Sequence, residues 1–443
     1  MMRTGLQGTA LTLLLTMAAA AQVPQEQQAP APGTVPAGSS LTRMQAEALA
    51  LKNNPQITVG KLRALEARQF VRAQRSALLP TAYLSLTGAD ATNNARIAAG
   101  GLNNPVIFQR AATGAAASQL ITDFGRTANL LSSAKASAKA EEETSAATTA
   151  QIILAVDQAF YHALETRELL QVAQQTVQTR QLIADRIRAL TQSKLKSDLD
   201  LSFASVDLAR AKLLQLEAKN NSGTSLAVLS AILGFPDQQD FDLVESTSAP
   251  EQPEQDVNPL ILQALRQRPE VLALKDQVDA DERFGHAEHD LWRPTVSALG
   301  AAGVAPVRDD HLPNWYGAVG VNINIPVFNG FLYDARAKTA DLQTEVAKQR
   351  LIDERNSIAR DVRAAWQQSQ QAFERLSVTQ QLREQASLGM KLAQSRYDLG
   401  LGSIVELSQA ELQKTEADIT DTDAQYQYRL TRLTLAYTIG APK

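Results

Sequence analysis

The chain has 443 residues, a formal net charge of −4 and no cysteine. Without cysteine there can be no disulfide, thiolate metal site, cysteine nucleophile or acylated cysteine, so a lipid anchor is excluded. Charge is nearly balanced and no basic tract follows a phosphate backbone, so nucleic acid is not an expected partner.

Arg3, the apolar run Ala10 to Met17 and the alanines Ala18 to Ala21 follow the charged, apolar, small-residue order of a secretory signal peptide. Residues 1–21 are therefore expected to direct export. The apolar run falls short of the ~20 residues that span a bilayer, which argues against an anchor. No later window holds a long uncharged apolar run, so a membrane would be crossed by strands. Residues 22–40, rich in Pro, Gln, Ala and Gly, read as a flexible leader.

From Leu41 the chain reads as one unit written twice, residues 41–234 and 259–440, with a linker or equatorial segment at 235–258. Each unit runs helix, strand, loop, strand, long helix, turn, long helix. Ala48 to Ile57 is echoed by Ala264 to Val271, and Pro55 and Pro80 each precede their counterparts, Pro269 and Pro294, by 214 residues. Gly125 and Gly330 stand 205 apart; Ser197 and Ser403, like Gly234 and Gly440, stand 206 apart.

Strands are expected at about 80–91 and 109–124, then at about 294–304 and 315–328. The clearest is Val319 to Val327, where β-branched residues alternate with Gly, Asn and Pro. A soluble sandwich strand would alternate in the same way, but two hairpins, each entered and left by long helices, favour a membrane sheet. Tyr83, Phe108, Phe124, Trp292, Trp315, Tyr316, Phe328, Phe331 and Tyr333 sit near the strand ends in a chain only 5% aromatic. That clustering suits bilayer interfaces. The alternative is a core against helix ends.

Neither Gly nor Pro interrupts the chain between Gly125 and about Leu190, or from Leu332 to Leu388. Some ~65 helical residues would reach ~100 Å, beyond any ordinary globule. Val156, Ala163, Leu170, Val177 and Ala184 recur at sevens, and Ile358, Val362, Ala365, Ala372 and Leu376 form a similar seam, as coiled-coil packing requires. Turns are expected at about 190–199 and 399–405. Ser197 with Asp200, and Ser403 with Glu406, have the Ser-x-x-acid form of a reciprocal helix cap. Gly400 and Gly402 supply permissive backbone before the second cap. Lys194 and Lys196 hold those positions in the first, so that turn is expected to be built differently, with exposed cations open to a partner.

No catalytic residue, metal or cofactor is expected. His286 and His289 flank Glu288 without forming His-Glu-x-x-His, His162 and His311 fall elsewhere, and solvated helix positions are the better reading. Neither a phosphate loop nor a nucleophile elbow is present.

The order of Leu78-Leu79-Pro80, Asp123-Phe124-Gly125-Arg126 and Arg396-Tyr397-x-x-Gly400-x-x-Ser403-x-x-Glu406-Leu407 resembles the TolC-type outer-membrane efflux proteins. The likeness covers nearly everything from Leu41 to Gly440. It implies an α+β membrane channel: a homotrimer with a twelve-stranded β-barrel in outer-membrane lipid and a long α-helical barrel in the periplasm. Its tips would dock a periplasmic adaptor protein that engages an inner-membrane transporter, making the channel the exit duct of an efflux or type I secretion system. By the same resemblance Asp200 is the first-turn acid, Tyr397 bonds toward it, and Glu406 is an acid of the tip constriction. Gln409 replaces a second family acid and Gly402 an arginine. Independently of the resemblance, four strands leave two open edges that lipid does not tolerate. Two copies would make an eight-stranded barrel filled by side chains, and three leave a lumen. The competing reading, a pore-less periplasmic coiled-coil scaffold or adaptor, leaves the two hairpins unexplained.

Overall fold

A computed structural model describes residues 40–90, 97–99, 102–104, 109–245, 250–304 and 314–440, with backbone alone for 89–111. The expected signal peptide, all of the leader before Ser40, Phe108 and His311 lie outside the described residues or side chains.

The first half begins with β1 (Ser40–Leu41), α1 (Arg43–Asn53) and α2 (Pro55–Ser76). Strand β2 (Thr81–Asp90) follows, then a small hairpin, β3 (Ile97–Ala99) and β4 (Leu102–Asn104), and β5 (Gln109–Thr122). Two helices, α3 (Arg126–Gln192) and α4 (Asp198–Ile232), complete it. After β6 (Asp242–Leu243), which pairs in parallel with β1, the second half runs α5 (Asn258–Gln267), α6 (Pro269–His289), β7 (Thr295–Val304), β8 (Trp315–Asn324), α7 (Leu332–Asp398) and α8 (Ile404–Thr438).

Duplication is visible in the backbone. Helices α3 and α7 have 67 residues each, and α4 and α8 have 35 each. Their starts, Arg126 and Leu332, then Asp198 and Ile404, are 206 residues apart. The register at the strand-to-helix junction is thus 206, not the 205 suggested by aligning Gly125 with Gly330. Two consecutive left-handed residues turn the chain into each long helix, Phe124 and Gly125 in one case, Gly330 and Phe331 in the other. Structurally Gly125 matches Phe331.

Helix α7 continues ten residues past Leu388, through Gly389. One interior glycine costs only about 1 kcal/mol and does not end so long a helix. Strand β8 stops at Asn324, short of Val327, because Pro326 has no N–H for the ladder.

The four long strands form one antiparallel sheet in the order β2-β5-β7-β8, with both outer strands open in the single chain. Directly paired residues share a face. Register therefore puts Leu84 and Leu86 on the face that carries Ala115, Val296, Ala302, Val304, Val319, Val321 and Ile323. This face is apolar and solvent-exposed, Val319 to 93% and Leu86 to 72%. Asn322, Asn324, Ser297, Thr295, Ser118 and Ser85 lie on the other. Among the aromatics near the strand ends, Tyr83, Phe124, Trp292, Trp315, Phe328 and Phe331 are exposed, while Tyr316 packs against Ala112 and Trp292 stacks edge-on against Tyr333.

Next to the sheet the helices lie side by side as α2, α3, α6, α7; further from it the order is α4, α3, α8, α7. Heptad seams hold them, with Val156, Ala163 and Ala184 buried on α3 and Ile358, Val362, Ala365 and Ala372 on α7.

Candidate functional site at the helical tips

Both helical hairpins end in turns of the same construction. In the first, Lys194 N–H donates to Thr191 and Leu195 N–H to Leu190, at 2.9 and 2.8 Å. In the second, Gly400 donates to Tyr397 and Leu401 to Arg396, at 3.1 and 2.8 Å. Each pair is the double bond of a Schellman motif. Lys194 adopts a left-handed φ of +56°, matching +73° at Gly400. The expectation that two lysines force a different first turn is therefore corrected: the two bonds hold Lys194 in a conformation that glycine adopts freely.

The caps differ instead. Ser197 and Asp200 form a complete reciprocal box, Asp200 N–H donating to Ser197 Oγ at 3.1 Å and Ser197 N–H to the Asp200 carboxylate at 3.1 Å. Ser403 accepts from Glu406 N–H at 3.1 Å, but the return bond is absent. The Glu406 carboxylate is drawn to Arg396 Nε at 3.0 Å, a charged partner that outcompetes a neutral amide. Arg396 also donates to Leu401 O at 3.1 Å, stapling the turn. A Cβ at Gly402 would lie 3.2 Å from Glu406 Oε2 and 3.3 Å from Tyr397 N, so a larger residue would press on this ion pair.

Asp200 and Tyr397 do not hydrogen-bond within the chain. Asp200 is occupied by Ser197, and the Tyr397 hydroxyl is buried without a partner. Lys196 Nζ lies 4.0 Å above the Tyr397 ring, a cation–π contact. Burial, and secondarily the charge of Asp200, push the Tyr397 phenol up, with Arg186 opposing. Lys194, Glu406 and Gln409 are exposed. Gln409 lines a groove of about 270 Å³ with Leu199, Phe203, Val206 and Val405.

Behind the turns all four helices meet in one apolar cluster that includes Ile187, Leu208, Tyr397, Ile404 and Leu407. Next to it lies a layer of charge that the sequence reading missed. Arg180 of α3 contacts Glu411 of α8, Asp207 of α4 lies 3.9 Å from the same guanidinium, and Ser408 donates to Asp207 at 2.5 Å. The signal was available: Ala159, Thr166, Ala173, Arg180 and Ile187 recur at sevens, and a charge on such a buried seam needs a partner.

Glu288 and Asp290 are not solvated either. Glu288 is buried and held by Arg336 at 2.6 Å, and Asp290 is buried against Asn129 and Arg293 at 3.0 Å each. His286 is exposed, and His289 pairs with Asp341 at 3.0 Å. Among the described residues no cluster of His, Asp and Glu could hold a metal ion, and no helix is long and apolar enough to cross a membrane.

A duplicated chain with a four-stranded sheet, an exposed apolar sheet face and paired helical hairpins has the fold of the outer-membrane channels. The structure of the Campylobacter jejuni CmeC outer membrane channel matches with a TM-score of 0.77 at 18% identity, over 95% of this chain and 93% of that one. The open state of the Neisseria gonorrhoeae MtrE outer membrane channel matches with a TM-score of 0.76 at 18% identity, over 90% and 88%. In sequence, outer membrane protein TolC of Vibrio cholerae serotype O1 is 23% identical over 411 residues, 88% of this chain and 89% of that protein. The outer membrane efflux protein family matches residues 48–235 and 260–441, and the chain belongs to it.

Proposed function

We propose that three copies of this chain assemble head to tail into one outer-membrane duct, a twelve-stranded barrel continued by a helical tunnel. The observation that carries this reading is that each layer presents a first-half element on one edge and a second-half element on the other. In the sheet the free edges are β2 and β8. Next to the sheet they are α2 and α7; toward the tips, α4 and α7. The helices at these edges carry exposed apolar side chains, Val59, Leu62 and Phe70 on α2, Leu213 and Leu216 on α4, and Leu342, Val378 and Leu392 on α7. Unlike edges join heterologously, and such contacts make a ring where the rotation from copy to copy closes. Twelve strands satisfy every edge and leave a lumen, whereas eight would be filled.

In this duct the tips are the closable end. Asp200, Tyr397, Glu406 and Gln409 belong to the gate, Ser197, Ser403, Gly400 and Gly402 shape it, and Lys194 and Lys196 face a periplasmic adaptor. That adaptor links the duct to an inner-membrane transporter, which drives substrate outward from periplasm or cytoplasm. A signal peptide at residues 1–21 delivers the chain across the inner membrane.

Outer-membrane fractionation and migration with and without heating test the assembly. A heat-labile trimer in the outer-membrane fraction is expected, and a soluble monomer would remove the reading. For the gate, Asp200→Ala is expected to raise single-channel conductance by removing the first cap, and Tyr397→Ala by emptying the apolar cluster behind the turns. Unchanged conductance in both would take these residues out of the gate.

A further inference from the structure

Well away from the tips, residues 250–254 strap α8 to α7. Trp366 and Gln370 of α7 donate to Glu254 O at 2.7 and 2.9 Å. On α8 the Tyr428 hydroxyl donates to Glu251 O, and Arg432 pairs with the Glu251 carboxylate at 2.7 Å. Between this strap and α3, α7 and α8 lies a cavity of about 1060 Å³. Sites for drug-sized ligands have about 300–1,000 Å³.

Leu154, Leu376 and Leu433 make much of the wall apolar, and two polar atoms in it lack partners. Asp157 on α3 is 4% exposed and Ser369 on α7 is fully buried. Among the described residues no donor reaches Asp157 Oδ1, and Ser369 Oγ makes no hydrogen bond. Leaving such groups unmatched is unfavourable, and a ligand in the cavity can match them.

The ion pairs give the sign of its charge. All four arginines that line the cavity are committed: Arg43 to Asp157 at 3.1 Å and to Glu47 at 2.7 Å, Arg383 to Asp421 at 2.7 Å, Arg429 to Glu245 and Arg432 to Glu251. Glu254 and Glu384 line it too, with no cation paired to either among the described residues, so six carboxylates face four arginines. Asp157 shows the same shortage, since it shares one guanidinium with Glu47. Burial, then the Glu47 charge, push its carboxyl up to about 7 even beside Arg43. An ammonium at Oδ1 supplies the missing charge and the missing donor together. Tyr161, one turn along α3 from Asp157, adds an aromatic ring of the kind that attracts cations.

We propose that this cavity is a binding site for an amphipathic organic cation, its ammonium on Asp157 Oδ1 and its apolar body between Leu154, Leu376 and Leu433. Ser369 is open to a further polar group of the ligand. Every lining residue belongs to one chain, so the site does not depend on the ring, and it lies apart from the tips and the sheet.

Calorimetric titration of the full-length protein in maltoside detergent at about pH 8, where Asp157 is ionised, tests this with three indoles of similar size. These are tryptamine, neutral tryptophol and anionic indoleacetate. Tryptamine is expected to bind about tenfold or more tighter than the other two, as one charge-assisted hydrogen bond provides. Asp157→Asn keeps the shape of the side chain and removes its charge; it is expected to abolish that preference and to leave tryptophol binding as it is. Leu154→Trp fills the cavity from α3 and is expected to end binding of all three. A wild-type helical circular-dichroism signal shows that each variant is folded, and if Asp157→Asn lacks it or loses tryptophol, Leu154→Trp decides. Tryptamine that binds wild type no better than tryptophol or indoleacetate, or not at all, overturns the proposal, as does unchanged tryptamine affinity in either folded variant.

Discussion

Lys194 shows how a repeat keeps its geometry after losing the residue best suited to it. A left-handed non-glycine residue costs roughly 1–2 kcal/mol, and the two Schellman bonds offset that cost. Lys194→Gly is therefore expected to stabilise the folded protein by about 1 kcal/mol. A higher midpoint for loss of the helical circular-dichroism signal would show it; a lower one would mean that the lysine side chain is needed at the turn. Asp157 presents the opposite case, a charge held where water is scarce. Burial, then the charge of Glu47, push its carboxyl up to about 7 although Arg43 lies 3.1 Å away. The unfolded value is about 3.9, so the native state holds this proton more tightly; the contribution to stability is full below about pH 4 and is lost as pH rises through about 7. Asp157→Asn should accordingly melt close to wild type near pH 4 and increasingly above it toward about pH 8. A gap that does not widen with pH would exclude this titration.

At the scale of elements, the long helices owe their existence to local composition and their neighbours to the seams. Heptad positions on α3 and α7 were legible because small apolar residues recur at sevens, and the structure buries most of them. Arg180 and Glu411 occupy the same kind of position, yet a charge in a helix rich in Gln, Lys and Glu reads as a solvated face until its partner is known. Removing one member should be far worse than removing a surface pair. Arg180→Ala or Glu411→Ala is expected to cost about 3–5 kcal/mol, whereas Arg188→Ala, which breaks a solvent-exposed pair with Asp185, should change stability little. Comparing the thermal unfolding midpoints of the three variants checks this; equal losses would show that the cluster is solvated.

For the whole molecule, the sheet decides where the chain can reside. Its exposed apolar face would be a liability in water and is suited to lipid. Val319→Arg, near the middle of β8, is expected to cost about 2–4 kcal/mol of membrane insertion and to deplete the protein from the outer-membrane fraction. Asn322→Arg, on the opposite face, should be tolerated. Equal depletion by both would mean that the faces are not distinguished by lipid and lumen.

Periodicities of two, seven and 206 residues are written along the chain, so the strands, the long helices, the duplication and the family could all be read without coordinates. The positions of the turns and of the serine caps were legible too, because a helix start or stop is decided by the few residues around it, but the left-handed Lys194 that makes the first turn like the second was not. Other choices were not local: whether Asp200 turns to Ser197 or Tyr397, whether Glu406 turns to Ser403 or Arg396, and whether Arg180 meets water or Glu411. Each is a competition between partners, one of them often on a distant helix, and a charged or polar group takes whichever stabilises it most where water is scarce. Only the packing of α3, α4, α7 and α8 against one another brings those partners within reach.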